Sequence, residues 1–335
     1  MYCIHQGTGS MNSNQDKVMT LEEAIARFVT DGCHISIGGF TVNRNPMAAV
    51  YEIIRQGRKN LHCYAHSNGT GVDELIGGGC IARIEIAYGG NGKAAPTCIR
   101  FKLAVQRGEL LVEDYTNYQM ALRFLAGAMG VPFLATLSGF GTDIVGKWGF
   151  SREMRANHPE LPNKKLEIID NPFDSWGGAA KVVLVPAINP DVTIVHVQKA
   201  DRHGTCRIEG LNFADIDQVK AARNVIVTCE EIVDTEQLRD KPEYNSIPFI
   251  HVDAVVHVPF GAYPTACHNF YDYDPIYLRH ISHFAKDEKL YAEYLAKFVH
   301  GVEDHHGLLN LVGKGQLDII AADKKTGYAV GLDRR

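Results

Sequence analysis

The sequence predicts an α/β protein built on an open, mostly parallel sheet with helices on both faces. Three observations predict it. Apolar runs of strand length alternate with amphipathic helical stretches. Short turns marked by glycine or proline join them. Several runs, such as "KVVLVPA" and "NVIVTC", are apolar without alternation, as strands covered on both faces are.

The elements follow in order. Thr20 and Glu23 form a capping-box pattern, and Ala24, Ile25, Phe28 and Val29 recur at helical spacing, so a helix runs from about Leu21 to Thr30. "HISIG" is a strand. Pro46 opens a second helix that ends near Gly57. "NLHCYAH" is a strand, "GVDELIG" a short helix and "ARIEIAYGG" a strand. A helix around Arg100 to Gln106 precedes the strand "ELLVEDY". "NYQMALRFLAGAMG" is helical and stops at Gly130, and "VPFLAT" reads as a further strand of the same sheet. The stretch 138–181 is glycine-rich and poor in periodicity, and long loops in compact domains are usually functional. Strands resume with "KVVLVPA", "DVTIVHVQKA", "NVIVTCEEI" and "VDAVVHVPFGAYP", with "FADIDQVKAA" a helix among them. The tail is helical and contains "LYAEYLAKFV". Residues 1–16 read as a loose extension, and 17–335 as a single α/β domain.

Bulk properties narrow the function. Of 335 residues, 45% are hydrophobic and 22% charged, which is ordinary for a globular protein. The net charge of -5 and the lack of a basic block speak against nucleic acid. No apolar run approaches the ~20 residues that span a bilayer, and the first residues lack the pattern of a signal peptide. The eight cysteines form no C-x-x-C pair, and Cys33, Cys63 and Cys229 lie in or beside strand-like runs, so buried free thiols in a reducing cytoplasm are expected. "DHH" at 304–306 lies in a polar stretch and reads as a solvated face rather than a metal site. No metal is expected.

The stretch "ISIGGFTVNRNP" raises the functional question. Two adjacent glycines after a strand place bare backbone at the carboxyl edge of the sheet, where open α/β sheets hold ligands. The G-x-G-x-x-G and P-loop patterns are absent, which removes nicotinamide and ATP readings. What remains is an anion or oxyanion cradle of backbone N–H groups at Gly38, Gly39 and Phe40, or a tight turn with no ligand. "AHSNGTG", "YGGNG" and "SGFGTD" end strands in the same way. Four such turns along one rim point to a site for a polar small molecule, with Ser67, Asn68, Asn91 and Gly92 as substrate-binding candidates.

Nucleophiles are harder to find. Glu113-Asp114 fit a helix N-terminus, and Glu230-Glu231 fit a turn cap or a partner contact. No Ser-His-Asp order and no Cys-His pair stands out, so the chain offers oxyanion-type turns without a nucleophile.

The motifs running from "KVMTLEEAIARFVTDGCHISIGGFTVNRNPMAAVYEIIRQG" through "VPFLATLSGFGTD", "DNPF", "VIVTCEEIV" and "VDAVVHVPFGAYPTACHNFYDYD" carry a resemblance. The chain is similar to one of the two subunit types of the glutaconate CoA-transferases, a class I CoA-transferase family. The resemblance spans about Lys17 to Asp274 and implies a two-subunit enzyme. A related partner subunit would supply the catalytic glutamate, with two copies of each (A2B2) or a larger assembly. That carboxylate would attack the acyl-CoA thioester and pass through an acyl-glutamyl anhydride to a glutamyl-CoA thioester, from which a carboxylic acid collects the CoA. On this reading CoA thioester is a substrate, no cofactor is bound permanently, and Gly38, Gly39 and Phe40 line the acyl pocket. Where the resemblance implies a serine hydroxyl facing the distal carboxylate of glutaconate, this chain has Gly92, and Asn91 and Ser67 stand on neighbouring turns. One alternative is a component of a ring-opening CoA-thioester hydrolase or a decarboxylase on the same fold, with Glu113 or Asp114 as the base. A second is a non-catalytic partner subunit.

Overall fold

The computed structural model describes residues 15–92, 96–173 and 180–334. The extension assigned to 1–16 thus lies outside the described residues except for its last two.

The chain runs α1 (Leu21–Phe28), β1 (His34–Ile37), α2 (Met47–Arg55), β2 (Leu61–Asn68), α3 (Thr70–Gly77), β3 (Ile81–Gly89), α4 (Ile99–Arg107), β4 (Leu111–Asp114) and α5 (Asn117–Met129). An insert follows, with β5 (Phe133–Thr136), α6 (Asp143–Gly146), α7 (Arg152–Ala156), β6 (Glu167–Asp170) and β7 (Lys181–Pro186). Then come β8 (Val192–Ala200), β9 (Cys206–Arg207), α8 (Asp215–Ala221), β10 (Asn224–Ile232), α9 (Thr235–Arg239) and β11 (Ala254–His257). The tail holds α10 (Pro275–Phe284), α11 (Glu288–Phe298), α12 (His305–Val312) and α13 (Lys314–Ile320).

The main sheet has the order β11-β10-β8-β1-β2-β3-β4, all parallel, with β9 antiparallel on β8. Its central strands are buried on both faces, which explains runs without alternation. Local signals set the early helices. Thr20 and Glu23 close the capping box of α1, and Thr116 and Gln119 close that of α5, which stops at Gly130 in the left-handed conformation. In α2 every residue but Arg55 is buried, so this helix lies between the sheet and the C-terminal helices.

Two strands, β5 in "VPFLAT" and β7 in "KVVLVPA", fall elsewhere than their patterns suggest. β5 does not extend the main sheet. It pairs antiparallel with β7, which also pairs with β6, and this small sheet packs on α5 through Met120, Phe124, Leu166, Val183 and Val185. Within the glycine-rich stretch 138–181 the described residues include α6, α7, β6 and the first residue of β7. Two of these are one-turn helices and β6 has four residues, too short for a periodic signal.

The C-terminal helices close one face, where their Tyr277, Tyr291 and Tyr294 meet Tyr51 of α2 around the carboxyl of Glu74. The Tyr291 hydroxyl donates to Glu74 at 3.0 Å, and burial pushes the Glu74 carboxyl up to about 8 from 4.5. Between those values the folded chain holds a proton that the unfolded chain has released. Glu74 therefore contributes its full stability below about pH 4.5 and loses it as pH rises toward 8. Glu74→Gln, which is neutral at every pH, should be more stable than the parent at pH 8.5 by on the order of 3 kcal/mol and nearly equal at pH 5. Urea titrations at the two pH values check this, and an equal gap at both would exclude the coupling.

Candidate functional site

The carboxyl ends of β1, β2, β3 and β4 and the turns that follow them form the rim where the sequence places a site. At β1 the backbone must be bare because the chain meets itself. A Cβ on Gly39 would lie 2.5 Å from the Asn43 carbonyl oxygen, and φ there is +82°. A Cβ on Gly38 would lie 2.8 Å from Val195 Cγ1. Phe40 N–H donates to the Asn43 carbonyl and Asn43 N–H returns to the Phe40 carbonyl, each at 2.8 Å. Thr41 and Arg44 also sit at positive φ, so the turn holds three residues in strained or glycine-only conformations.

Buried partners hold that strain in place. Asp215, fully buried at the start of α8, accepts the Gly39 N–H at 2.8 Å and pairs with Arg44 at 2.8 Å. Arg44 also donates to the carbonyls of His196 and Leu211. The Gly38 N–H goes to the Ile194 carbonyl at 2.9 Å. These bonds correct the expectation of an oxyanion cradle, since the amides of Gly38, Gly39 and Phe40 are all engaged inside the chain. The Phe40 ring stacks on Phe213 at 4.8 Å, with His66 at 5.9 Å on another side.

The asparagines of the neighbouring turns are engaged as well. The first three N–H groups of α3 are each taken by a side chain from a different segment. Asn91 accepts from Thr70, Asn45 from Gly71 and Asn68 from Val72, at 2.9–3.1 Å. Asn68 also donates to the Gly38 carbonyl. Asn68 and Asn91 thus cap a helix that starts at Gly69, a residue with no side-chain cap of its own. Ser67 is bonded to Asn117. Gly92 stands apart, at φ +58° with nothing among the described residues within 4 Å of an added Cβ. The fourth turn leaves β5 and is therefore on the small sheet. It meets the residues after β4 at Ser138, whose hydroxyl meets Thr116 Oγ1 at 2.7 Å.

Glu113 and Asp114 are not brought to this turn as free bases. Glu113 is fully buried, pairs with Arg155 and accepts the Gly149 N–H at 2.6 Å. Asp114 is exposed and pairs with Lys165 at 3.0 Å. Their role is to anchor the insert against β4.

Two groups carry no motif that would have singled them out. His66, one residue before Ser67, is pushed below its ordinary value by burial, and its Nδ1 has no hydrogen-bond partner among the described residues. Nothing in "YAHSNG" marks it. The second group lies under β8 and β10. His196 Nδ1 meets Thr228 Oγ1 at 2.9 Å, and its Nε2 meets Glu230 Oε1 at 2.7 Å. The spacing resembles a hydroxyl–imidazole–carboxylate relay, but all three side chains are buried. Glu230 also accepts from the Tyr271 hydroxyl and the Phe260 N–H. Its sequence neighbour Glu231 is exposed. Ligand atoms of His196, Glu230 and Cys267 fall within 4.8 Å of one another, the spacing a metal ion spans, yet the imidazole and carboxylate already satisfy each other. At "DHH", Asp304 caps α12, while His305 is buried against the Phe260 carbonyl at 2.7 Å rather than solvated. The seven described cysteines are buried free thiols.

Two concavities flank this rim. One of about 330 Å³ adjoins Asn43 and Arg44 of the glycine turn. The other, about 760 Å³, lies against the small sheet between Phe140, Trp148 and Ile168. Among the described residues no helix is long and apolar enough to cross a membrane.

Comparison with known proteins fits this geometry. The chain is 38% identical over 318 residues to a subunit of the glutaconate CoA-transferase of Acidaminococcus fermentans, covering 95% of this chain and 98% of that one. The crystal structure of that enzyme superposes with a TM-score of 0.90 over 94% of this chain and 98% of its own. The corresponding subunit of the 3-oxoadipate CoA-transferase of Pseudomonas knackmussii is 31% identical over 90% of this chain and 99% of its own length. A cholesterol ring-cleaving hydrolase subunit of Rhodococcus jostii is 27% identical over 88% of this chain and 96% of its own. The family model for coenzyme A transferase matches residues 18–258, and the chain belongs to the coenzyme A transferase family.

Proposed function

We propose that this chain is one of the two subunits of a heteromeric class I CoA-transferase, one α/β domain over residues 17–335, that moves CoA between an acyl-CoA and a carboxylic acid in the cytoplasm. A related partner subunit contributes the glutamate nucleophile, in an A2B2 or larger assembly, and no cofactor is permanently bound. The observation that carries this reading is the state of the rim carboxylates. Glu113, Asp114, Asp215 and Glu230 are each tied up in an ion pair, in hydrogen bonds or in both. A carboxylate that attacks a thioester must have a free lone pair in the cleft. The same pairing weakens the hydrolase and decarboxylase alternatives as they involve this chain, because Glu113 would have to leave Arg155 to act as a base.

In the reaction, the partner's carboxylate oxygen attacks the thioester carbonyl and the CoA thiolate leaves, giving a mixed anhydride. The thiolate then attacks the glutamyl carbonyl, releasing the first acid and forming glutamyl-CoA. The second acid repeats the sequence in reverse. The turn at Gly38, Gly39 and Phe40 serves as a wall of the acyl pocket, its shape fixed by Asp215, rather than as a donor pair.

Gly92 shapes substrate choice. Without a side chain there, the pocket offers no hydroxyl for a distal carboxylate. The preferred acyl group is bulkier at its far end than glutaconate, or lacks that carboxylate. The test is kcat/KM of the co-purified heteromer across glutaconyl-, glutaryl-, succinyl-, branched and aromatic acyl-CoA donors, with Gly92→Ser beside the parent. No described residue lies within 4 Å of a Cβ at position 92, so the serine carries only the left-handed penalty of about 1–2 kcal/mol. The variant should shift preference toward glutaconyl-CoA by about tenfold. A parent enzyme that already prefers glutaconyl-CoA would contradict the role of Gly92, and no exchange with any donor would contradict the transferase reading.

A further inference from the structure

We propose that Asn45 and Asn68 are positioning residues for CoA exchange, each holding one peptide of the glycine turn by its carbonyl while the N-terminus of α3 aligns the amide that does so. This rests on the transferase reading, in which the turn walls the acyl pocket, and names what fixes that wall from the α3 side.

The two amides are arranged alike. Asn68 Oδ1 accepts the Val72 N–H at 3.1 Å, and its Nδ2 donates to the Gly38 carbonyl at 3.2 Å. Asn45 Oδ1 accepts the Gly71 N–H at 3.1 Å, and its Nδ2 donates to the Asn43 carbonyl at 3.2 Å. An N–H can only donate and a carbonyl can only accept, so each side chain must present one acceptor and one donor. A cap for α3 needs the acceptor alone, which aspartate or serine would supply as well. The donor half of each amide serves the turn.

The surroundings are shaped for these contacts. Asn45 and Asn68 are both fully buried. A Cβ on Gly71 would lie 3.1 Å from Asn68 Oδ1 and 3.2 Å from Asn45 Oδ1, so a bare position in the first turn of α3 lets the two amides converge.

The peptides they hold need holding. A peptide between two glycines turns easily, because neither residue has a Cβ to select its φ and ψ. In the Gly38–Gly39 peptide the N–H goes to Asp215 at the start of α8 and the carbonyl to Asn68 at the end of β2, so buried side chains fix both ends. In the Asn43–Arg44 peptide the N–H goes to the Ala266 carbonyl at 2.7 Å, and the carbonyl accepts from Asn45 and from the Phe40 N–H. Without the amide donors the carbonyl ends are released, and the wall loses its single shape.

The experiment uses the assembled heteromer carrying Asn68→Asp or Asn45→Asp. Aspartate keeps the acceptor for α3 and sets a second oxygen against the turn carbonyl. At about pH 8 each variant should have a kcat about tenfold or more below the parent. Burial and the facing carbonyl disfavour the anion, so the introduced carboxyl titrates above its ordinary value of about 4. Once protonated, it again offers the carbonyl a donor. The rate relative to the parent should therefore recover by about threefold or more as the pH falls toward about 5.5, and Asn68→Ala should show no such recovery. A role confined to capping α3 gives the opposite trend, since the anion is the form favoured at a helix N-terminus. A variant as fast as the parent at about pH 8, or a loss that stays flat or deepens as the pH falls, overturns the proposal. Should one aspartate variant fail to assemble, the other carries the test. A parent heteromer that exchanges CoA with no donor overturns the transferase reading, and this proposal with it.

Discussion

Gly39→Ala should abolish CoA exchange and cost about 3 kcal/mol or more in stability. Two costs combine. An L-residue at φ +82° carries the left-handed penalty of about 1–2 kcal/mol. Its Cβ would also approach Arg44 backbone atoms at 2.6 Å, and backbone cannot swing aside as a flexible side chain can. Gly57 separates the two. It has φ +68° but nothing within 4 Å of an added Cβ, so Gly57→Ala should cost only about 1 kcal/mol and leave activity intact. Denaturant unfolding of both variants, with exchange assays on the heteromers, checks the difference. Equal costs would mean that the close approach at Gly39 contributes nothing.

Asp215→Ala is the second change with a large effect. It leaves Arg44, only 3% exposed, without its counter-charge and the Gly39 N–H without an acceptor. Breaking one side of a buried pair costs about 3–5 kcal/mol. The loss should release the strained turn and lower kcat of the heteromer by about tenfold or more. Replacing both partners, Asp215→Leu with Arg44→Met, should recover a large part of the stability, because no uncompensated charge remains. It should not recover the rate, since Gly39 still lacks its acceptor. A double variant as unstable as the two single variants summed would show that the charges are not coupled.

The sequence made some of this legible and hid the rest for physical reasons. The capping box at Thr20 is a local pattern, and the helix it starts lies where the pattern puts it. The cap of α3 is not local. Its three acceptors come from positions 45, 68 and 91, so Asn68 and Asn91 read as substrate ligands until the fold shows the N–H groups they serve. "VPFLAT" has a strand's composition, but composition does not say which sheet a strand joins, and β5 joined the small one. The paired glycines announced bare backbone correctly. What approaches them is Asn43 and Arg44, only a few residues ahead, together with Asp215 from across the sheet. Glu113 looked like a base because its partner Arg155 is 42 residues away in sequence, beyond any motif's reach. His66 gave no signal at all, since a nitrogen without a partner among the described residues is a property of packing.

The claim that the nucleophile belongs to the partner is tested most directly by locating the covalent intermediate. The heteromer is mixed with acyl-CoA in the absence of acceptor acid, quenched, and each of its two chains weighed by intact mass spectrometry. The expected result is a glutamyl-CoA adduct on the partner and an unmodified mass for this chain. A CoA adduct on this chain would contradict it.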